Sequence, residues 1–112
     1  MRSKFIVMSD PVAGKEGEYN DWYEHQHLGD VLEVPGFVSA QRFRFASKIN
    51  EVPHWRYCVI YTIDSDKPEG VVESLTKIVA DGGMYVSAAL DPHVYAAVYK
   101  PIGDEHFARR SA

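Results

Sequence analysis

The stretch EGEYNDWYEHQHLGDVLEVPGF, residues 16–37, predicts a helix followed directly by a strand. Apolar and aromatic residues recur in it every three or four positions, which is the period of an amphipathic α-helix. Pro35-Gly36 then stops the helix, and Phe37 begins a segment with the pattern of a strand. We therefore predict a helix over 16–34, which Gly29 divides into two pieces. Its apolar face consists of Tyr19, Trp22, Tyr23, His27, Val31 and Val34.

The remaining elements follow from shorter patterns on either side of this stretch. Short runs of β-branched and aromatic residues, each bounded by proline or a polar turn, predict four strands. An apolar stripe between Pro68 and Gly82-Gly83 predicts a second helix. Residues 84–90 fit neither pattern. The predicted strands cover 4–8, 37–46, 55–63 and 94–100.

The order strand, helix, strand, strand, helix, strand predicts the fold class. It is that of an α+β, ferredoxin-like βαββαβ domain: a four-stranded antiparallel sheet with two helices on one face. A chain of 112 residues has the size of one domain, since domains most often have about 100–150 residues. We therefore expect residues 1–112 to form a single domain.

The uncovered face of this sheet predicts a partner. Helices cover one face, and the other carries apolar or aromatic residues from every strand. Because soluble monomers rarely expose a large apolar patch, we expect a homodimer through the open sheet face, giving a dimeric α/β barrel. In the second strand, alternation places Phe37, Phe43 and Phe45 on one side and Val38, Ala40, Arg42 and Arg44 on the other.

Composition argues against a nucleic-acid or membrane partner and against a reactive cysteine. Twelve basic and sixteen acidic residues give a net charge of -4 without a basic stripe, so we expect no nucleic-acid partner. No apolar run approaches the about 20 residues of a membrane span, and no signal peptide is recognisable, so we expect a cytoplasmic protein without a membrane partner. The single cysteine, Cys58, lies in an apolar strand, where an inert thiol is expected.

Several short motifs together resemble one family. Glu18-Tyr19-Asn20-Asp21-Trp22-Tyr23 is followed by His27, then Asp30-Val31-Leu32, Pro35-Gly36-Phe37 and Ala40-Gln41-Arg42-Phe43. This pattern resembles the EthD-like branch of the dimeric α/β-barrel superfamily. The resemblance implies a barrel built across a dimer, with a cleft between the sheet and the first helix. Relatives include cofactor-free monooxygenases, polyketide cyclases, lyases, isomerases and haem-binding branches.

His27 and Tyr23 are the candidate catalytic residues. They are four positions apart on one helix, so their side chains are expected to touch. A histidine beside a partly buried aromatic ring suits general acid or base chemistry near neutral pH. The alternative is a core histidine whose ring bonds a backbone carbonyl. The resemblance favours a catalytic or ligand-binding role, because relatives place their histidine at this position.

Further candidates for ligand binding are aromatic residues and one arginine. The helix aromatics either line the cleft or belong to the core, and the strand tyrosines either close the dimer interface or point into a cavity. Arg42 lies on a half-apolar face and needs an anionic partner, either Glu33, Asp30 or a carboxylate-bearing ligand. The ligand-binding candidates are Trp22, Tyr19, Arg42, Tyr57, Tyr61 and Tyr95.

No metal or cofactor site is predicted. Because His25 and His27 diverge by roughly 200° around an α-helix, they do not chelate one ion. The sequence also lacks GxSxG, GxGxxG and GxxxxGK motifs, which argues against a serine nucleophile and nucleotide cofactors.

These observations lead to three hypotheses on function. The first is a small-molecule-binding protein of catabolism that acts as a cofactor-independent lyase, isomerase or cyclase on an aromatic or polyketide-like compound through His27. The second is a non-catalytic ligand-binding or accessory protein with the same cavity. The third is a cofactor-free monooxygenase of the same fold.

Overall fold

A computed structural model describes residues 2–110 of the chain. Its strands are β1 (Arg2–Ser9), β2 (Phe37–Arg44), β3 (Tyr57–Asp64) and β4 (Tyr95–Tyr99). They form one antiparallel sheet in the order β2-β3-β1-β4. Together with the helices, this order confirms the predicted ferredoxin-like α+β fold. Within the described residues, no helix is long and apolar enough to span a membrane.

The first helical segment differs from the prediction in its middle. It comprises α1 (Glu16–Trp22), a π-helical turn (Tyr23–His27) and α2 (Leu28–Leu32), with right-handed helical backbone at both junctions. The helix ends two residues before the predicted limit. The predicted division at Gly29 is wrong, because the irregularity lies earlier, in the π-helical turn.

The second helix, α3 (Pro68–Ala80), has the expected end signals. Pro68 occupies the first turn, where its missing N–H costs nothing, and Glu69 complements the positive end of the helix dipole. Gly82 follows with a positive φ of 79°, as glycines after helix ends commonly do. Residues 84–90 contain no strand, although Leu90 forms an isolated bridge with Pro11.

The core lies between the sheet and the helices and is rich in aromatic rings. Phe5, Phe37 and Tyr61 form a cluster, with Tyr61 5.7 Å from Phe5 and 5.6 Å from Phe37 between ring centroids. Gly36 enters this core with a φ of 104°, and a Cβ there would lie 2.5 Å from Cγ2 of Val71. The turn before β2 therefore packs closely against α3.

An irregularity in β2 overturns one predicted face. The register shifts between Phe37 and Ser39, so Phe37 points into the core while Phe43 points away from it. The prediction that Phe37 shares a face with Phe43 and Phe45 is therefore wrong. Trp55 likewise lies outside β3, which begins two residues later.

No helix of residues 2–110 covers the other face of the sheet. Register places side chains from all four strands on it, because directly paired residues of an antiparallel sheet share a face. Phe43 and Tyr99 are 43% and 49% exposed. We call this set the open sheet face; its apolar members are Ile6, Met8, Phe43, Cys58, Ile60, Tyr95, Ala97 and Tyr99.

Candidate functional site

A cavity of about 420 Å³ lies on the helix-covered side of the sheet. The sheet forms its floor, and α3, the first helical segment and the connection before β4 form its walls. Its lining consists of Phe5, Val7, Trp22, Tyr23, His27, Val31, Tyr61, Leu75, Thr76, Val79, Ala80, Val86, Leu90, Val94 and Ala96. Among these described residues none is Asp, Glu, Lys or Arg, so the cavity favours an uncharged, largely apolar ligand.

The π-helical turn arranges the polar corner of this cavity. In an α-helix, residues five apart lie about 140° from each other around the axis. A π-helical turn joins residues five apart by its hydrogen bonds and so brings such side chains together. The rings of Trp22 and His27 stack at 4.5 Å between centroids with planes 28° apart, while Tyr23 meets His27 edge-on at 5.1 Å.

Burial sets the charge of His27. Desolvation lowers the pKa of His27 to about 4, and the nearby carboxylate of Asp30 opposes this only in part. Within the described part of the chain, the Nδ1 atom of His27 is buried without a hydrogen-bond partner, as is Nε1 of Trp22. His27 therefore presents a neutral imidazole at pH 7, and the backbone-bonded Nδ1 of a core histidine is absent here.

The side chains of Tyr23 and Tyr61 line the cavity. Burial raises the pKa of both phenols, so both remain protonated at neutral pH. The side chains of Ser9 and Tyr61 act in the opposite direction on the pKa of Tyr23, as does the charge of Arg42. The two phenols are accordingly hydrogen-bond donors rather than bases.

The structure brings four of the predicted site residues together at the cavity and places four elsewhere. Trp22, Tyr23, His27 and Tyr61 line the cavity. Tyr19, Arg42, Tyr57 and Tyr95 do not.

Tyr19, Tyr57 and Arg42 form a layer behind the cavity wall. Tyr19 is fully buried and its hydroxyl lies 2.7 Å from Oγ of Ser9. Tyr57 donates a short hydrogen bond to Glu16 and accepts one from Asn20. These contacts stabilise the helix against β3 and leave no group of Tyr19 free for a ligand.

Arg42 finds its anionic partner on the π-helical turn. Its Nη1 lies 3.3 Å from Oε1 of Glu24, and its Nη2 donates to Oδ1 of Asn20 at 2.6 Å. The two partners named from the sequence, Glu33 and Asp30, are therefore wrong. Glu24 lies four residues after Asn20, so both side chains face Arg42 with the spacing of one helical face.

Tyr95 lies on the open sheet face, on the opposite side of the sheet from the cavity. It pairs with Met8, its hydroxyl bonds that of Tyr99, and its ring lies 5.9 Å from that of Trp55. In this position Tyr95 does not reach the cavity.

Sequence reasoning missed the aliphatic half of the cavity. Leu75 and Val79 come from the apolar stripe of α3, and Ala96 comes from β4. The stripe was visible in the sequence, but a stripe predicts burial and does not distinguish a packed core from a cavity. The small side chains Ala80 and Ala96 were the only sign that space remains there.

Within residues 2–110, no group of three or more His, Cys, Asp or Glu side chains is placed to hold a metal ion. His25 is exposed, whereas His27 is half-buried and lines the cavity. The two histidines therefore face different environments.

Comparison with solved structures identifies the fold. No protein-family model matches the chain, and no curated protein matches it. An EthD (ethyl tert-butyl ether D) family protein from Bacillus halodurans C-125 superposes with a TM-score of 0.55 at 14% identity, over 91% of this chain and 100% of that one. The chain has the ferredoxin-like fold of EthD-like proteins.

Two further solved structures share this fold. The haem degrader MhuD from Mycobacterium tuberculosis, with two haems in its active site, gives a TM-score of 0.64 at 19% identity, covering 93% of this chain and 99% of MhuD. A dimeric ferredoxin-like protein from Jannaschia sp. CCS1 gives 0.58 at 16% identity, covering 90% and 100%. At these identities the likeness establishes the fold alone.

Proposed function

We propose that this protein binds a small, largely apolar, ring-containing molecule in the cavity beside His27. The observation that carries the proposal is the cavity itself, about 420 Å³ in volume and lined by four aromatic residues, one imidazole and mostly aliphatic side chains. That volume lies within the about 300–1,000 Å³ typical of ligand sites. Flat apolar lining suits an aromatic or polyketide-like ligand, because rings pack well against Trp22, Tyr23 and Tyr61.

We further propose that His27 acts as a proton acceptor in a cofactor-independent lyase, isomerase or cyclase step. A pKa of about 4 leaves the imidazole unprotonated at neutral pH, which is the state a general base requires. The unpartnered Nδ1 and the position of His27 in the cavity wall support this role. The substrate must then carry an acidic O–H or C–H group, because a buried imidazole is a weak base.

That weak basicity also favours a second candidate, a non-catalytic ligand-binding protein. The same cavity would bind the same class of molecule without any proton transfer. Exchange of the acidic C–H protons of 2-tetralone, an apolar aromatic ketone, in D₂O separates the two candidates. The catalytic proposal requires that the protein accelerate this exchange and that His27→Gln abolish the acceleration while still binding the ketone.

Haem does not fit the residues of this cavity, although MhuD holds haem in its active site. One histidine is enough to hold haem iron, but the described lining residues include no lysine or arginine to pair with haem propionates. We therefore propose chemistry that uses the chain's own residues without a cofactor.

We also propose that the protein is a homodimer joined through the open sheet face. Apolar and aromatic side chains from four strands lie exposed or partly exposed there, and a second copy would remove them from water. The tyrosines Tyr95 and Tyr99 would then lie at the interface, where amphipathic rings are common.

Fluorescence of Trp22 tests ligand binding directly. Trp55→Phe leaves Trp22 as the single tryptophan, and 4-nitrophenol serves as the probe. We expect 4-nitrophenol to quench the fluorescence of Trp22 in a saturable way. Adding the cavity-filling change Ala96→Phe to the Trp55→Phe protein should abolish this quenching. Quenching that is absent, or that persists unchanged with Ala96→Phe, would contradict the proposal.

A further inference from the structure

Arg42 lies outside the cavity but directly behind its tyrosine wall. Its guanidinium carbon is 5.0 Å from the ring centroid of Tyr23, 5.5 Å from that of Tyr57 and 5.7 Å from that of Tyr19. All three distances lie within the about 6 Å over which a cation and an aromatic ring attract each other. One buried cation is thus surrounded by three phenol rings.

Burial and two polar contacts hold the guanidinium of Arg42 in this position. Its side chain is 12% exposed, and Asn20 accepts a 2.6 Å hydrogen bond from Nη2. Its counter-ion, Glu24, is 53% exposed and 3.3 Å away, so water screens the carboxylate more than the guanidinium. The buried Nε of Arg42 has no hydrogen-bond partner. The positive charge of Arg42 therefore acts on the tyrosine wall and is only partly balanced by Glu24.

Tyr23 and Tyr61 connect Arg42 to the cavity, because the charge of Arg42 acts to lower the pKa of both phenols. Both residues line the cavity, and the interaction between their side chains lowers the pKa of Tyr23 and raises that of Tyr61. A phenol that is polarised by a nearby cation is a stronger hydrogen-bond donor, because negative charge on its oxygen is better tolerated. The titratable or charged groups around these two phenols are Tyr19, Glu24 and His27 from the helical segment and Arg42 from β2.

We propose that Arg42 is a positioning residue that acts through Tyr23 and Tyr61 and makes the cavity favour uncharged ligands on whose oxygen negative charge develops. Phenols and enolisable aromatic ketones form the ligand class that is apolar enough for this lining and can develop negative charge on an oxygen. This inference rests on the proposed function, because it requires that the ligand occupy the cavity.

The proton transfer balances without any further reactant. His27 accepts a proton from the O–H of a phenol or from the C–H beside a ketone carbonyl. The bonding electron pair moves onto the ligand oxygen, which accepts hydrogen bonds from the tyrosine hydroxyl groups. The imidazolium and the oxyanion then form a neutral pair in the cavity, and returning the proton to the same or another carbon completes an exchange or an isomerisation.

The ionisation of bound 4-nitrophenol tests the role of Arg42, because the phenolate absorbs at longer wavelength than the phenol. Arg42→Met removes the charge while keeping an unbranched side chain. We expect this change to raise the apparent pKa of the bound probe by about one unit, a tenfold loss in the ratio of bound phenolate to bound phenol. Arg42→Lys retains the charge and should give an intermediate value.

Glu24→Gln provides a matched control at a half-exposed position. Removing the counter-ion strengthens the field of Arg42, so the pKa of the bound probe should fall below the wild-type value. If the charge of Arg42 acts on the probe, the pKa of bound 4-nitrophenol should rise in Arg42→Met and fall in Glu24→Gln. A purely structural role of Arg42 would change affinity or stability without these opposite shifts. The control remains informative if Arg42→Met fails to fold.

The outcomes separate this inference from the proposed function. Equal pKa values of bound probe in wild type, Arg42→Met and Glu24→Gln, or in wild type and Glu24→Gln if Arg42→Met does not fold, would overturn the role of Arg42 while leaving ligand binding intact. Absence of saturable binding to the wild-type protein would overturn the proposed function, and the inference with it.

Discussion

The imidazole of His27 lies stacked on the indole of Trp22, although five residues separate them in the chain. The contact depends on the π-helical turn, and π-helical turns within α-helices frequently occur at functional sites. It places an aromatic surface next to the one imidazole among the described lining residues of the cavity.

Truncation of Trp22 is expected to weaken both stability and binding. Trp22→Ala should lower the free energy of unfolding by about 3–5 kcal/mol, because a large buried ring is removed. Trp22→Phe keeps a ring over His27 and should lose much less. Urea unfolding gives the stabilities, and equilibrium dialysis with 4-nitrophenol gives the affinities. Unchanged affinity in Trp22→Ala would show that the indole does not form the binding surface.

The stability of the protein should depend on pH through His27. Its pKa in the folded state, about 4, is below the model-peptide value of 6.5, so the unfolded chain binds the proton more readily. The stability is therefore fully present above pH 6.5 and is lost as the pH falls towards 4. At pH 5 the loss attributable to His27 is on the order of 2 kcal/mol.

His27→Gln isolates this contribution, because all other groups titrate equally in both proteins. Urea unfolding at pH 7.5 and pH 5 should show a smaller loss of stability in the variant than in wild type. The same loss in both proteins would mean that His27 is not desolvated in the folded state.

The turn at Gly36 should not tolerate a side chain. Gly36→Ala combines a φ of 104° with a Cβ only 2.5 Å from Val71, so we expect a loss of about 1–3 kcal/mol in stability. Gly29 offers the matched control, because it lies in α2 with no atom within 4 Å of an added Cβ. Gly29→Ala should raise the free energy of unfolding by about 0.5–1 kcal/mol. Thermal melts that rank the two variants in the reverse order would contradict the packing described for this turn.

A charge in the middle of the open sheet face should separate the proposed dimer. Ile6 lies on β1 between Ile60 and Ala97, so Ile6→Lys would bury a charge in the interface. Sedimentation analysis should find wild type at twice the mass of one chain and Ile6→Lys at the mass of one chain. Glu73→Lys, at an exposed position of α3, should remain a dimer. A monomeric wild type, or a variant that remains dimeric, would exclude this interface.

The order of the elements and the helix face could be predicted because both depend on local patterns. Apolar period and the Pro35-Gly36 stop identified the first helical segment and the start of β2. The same period brought Tyr23 next to His27, and the structure has that contact at 5.1 Å.

The details that depend on tertiary packing could not be predicted. The register shift near Val38 reverses the face of Phe37, and nothing in the alternation of β2 marks it. Arg42 of β2 meets Glu24 rather than Glu33 or Asp30, a pairing that depends on how the helix packs against the sheet. Tyr61 and Tyr95 both follow strand patterns, and only the register of the sheet places one at the cavity and the other on the opposite face.

Nuclear magnetic resonance of ¹⁵N-labelled histidine side chains tests the central claim most directly. The chain has five histidines, and His27→Gln assigns the resonances of His27. We expect the His27 imidazole to remain unprotonated at pH 5.5 and to shift on addition of 4-nitrophenol at pH 7. A His27 imidazole that is protonated at pH 5.5 and unaffected by the probe would contradict the claim that a neutral His27 forms part of a ligand-binding cavity.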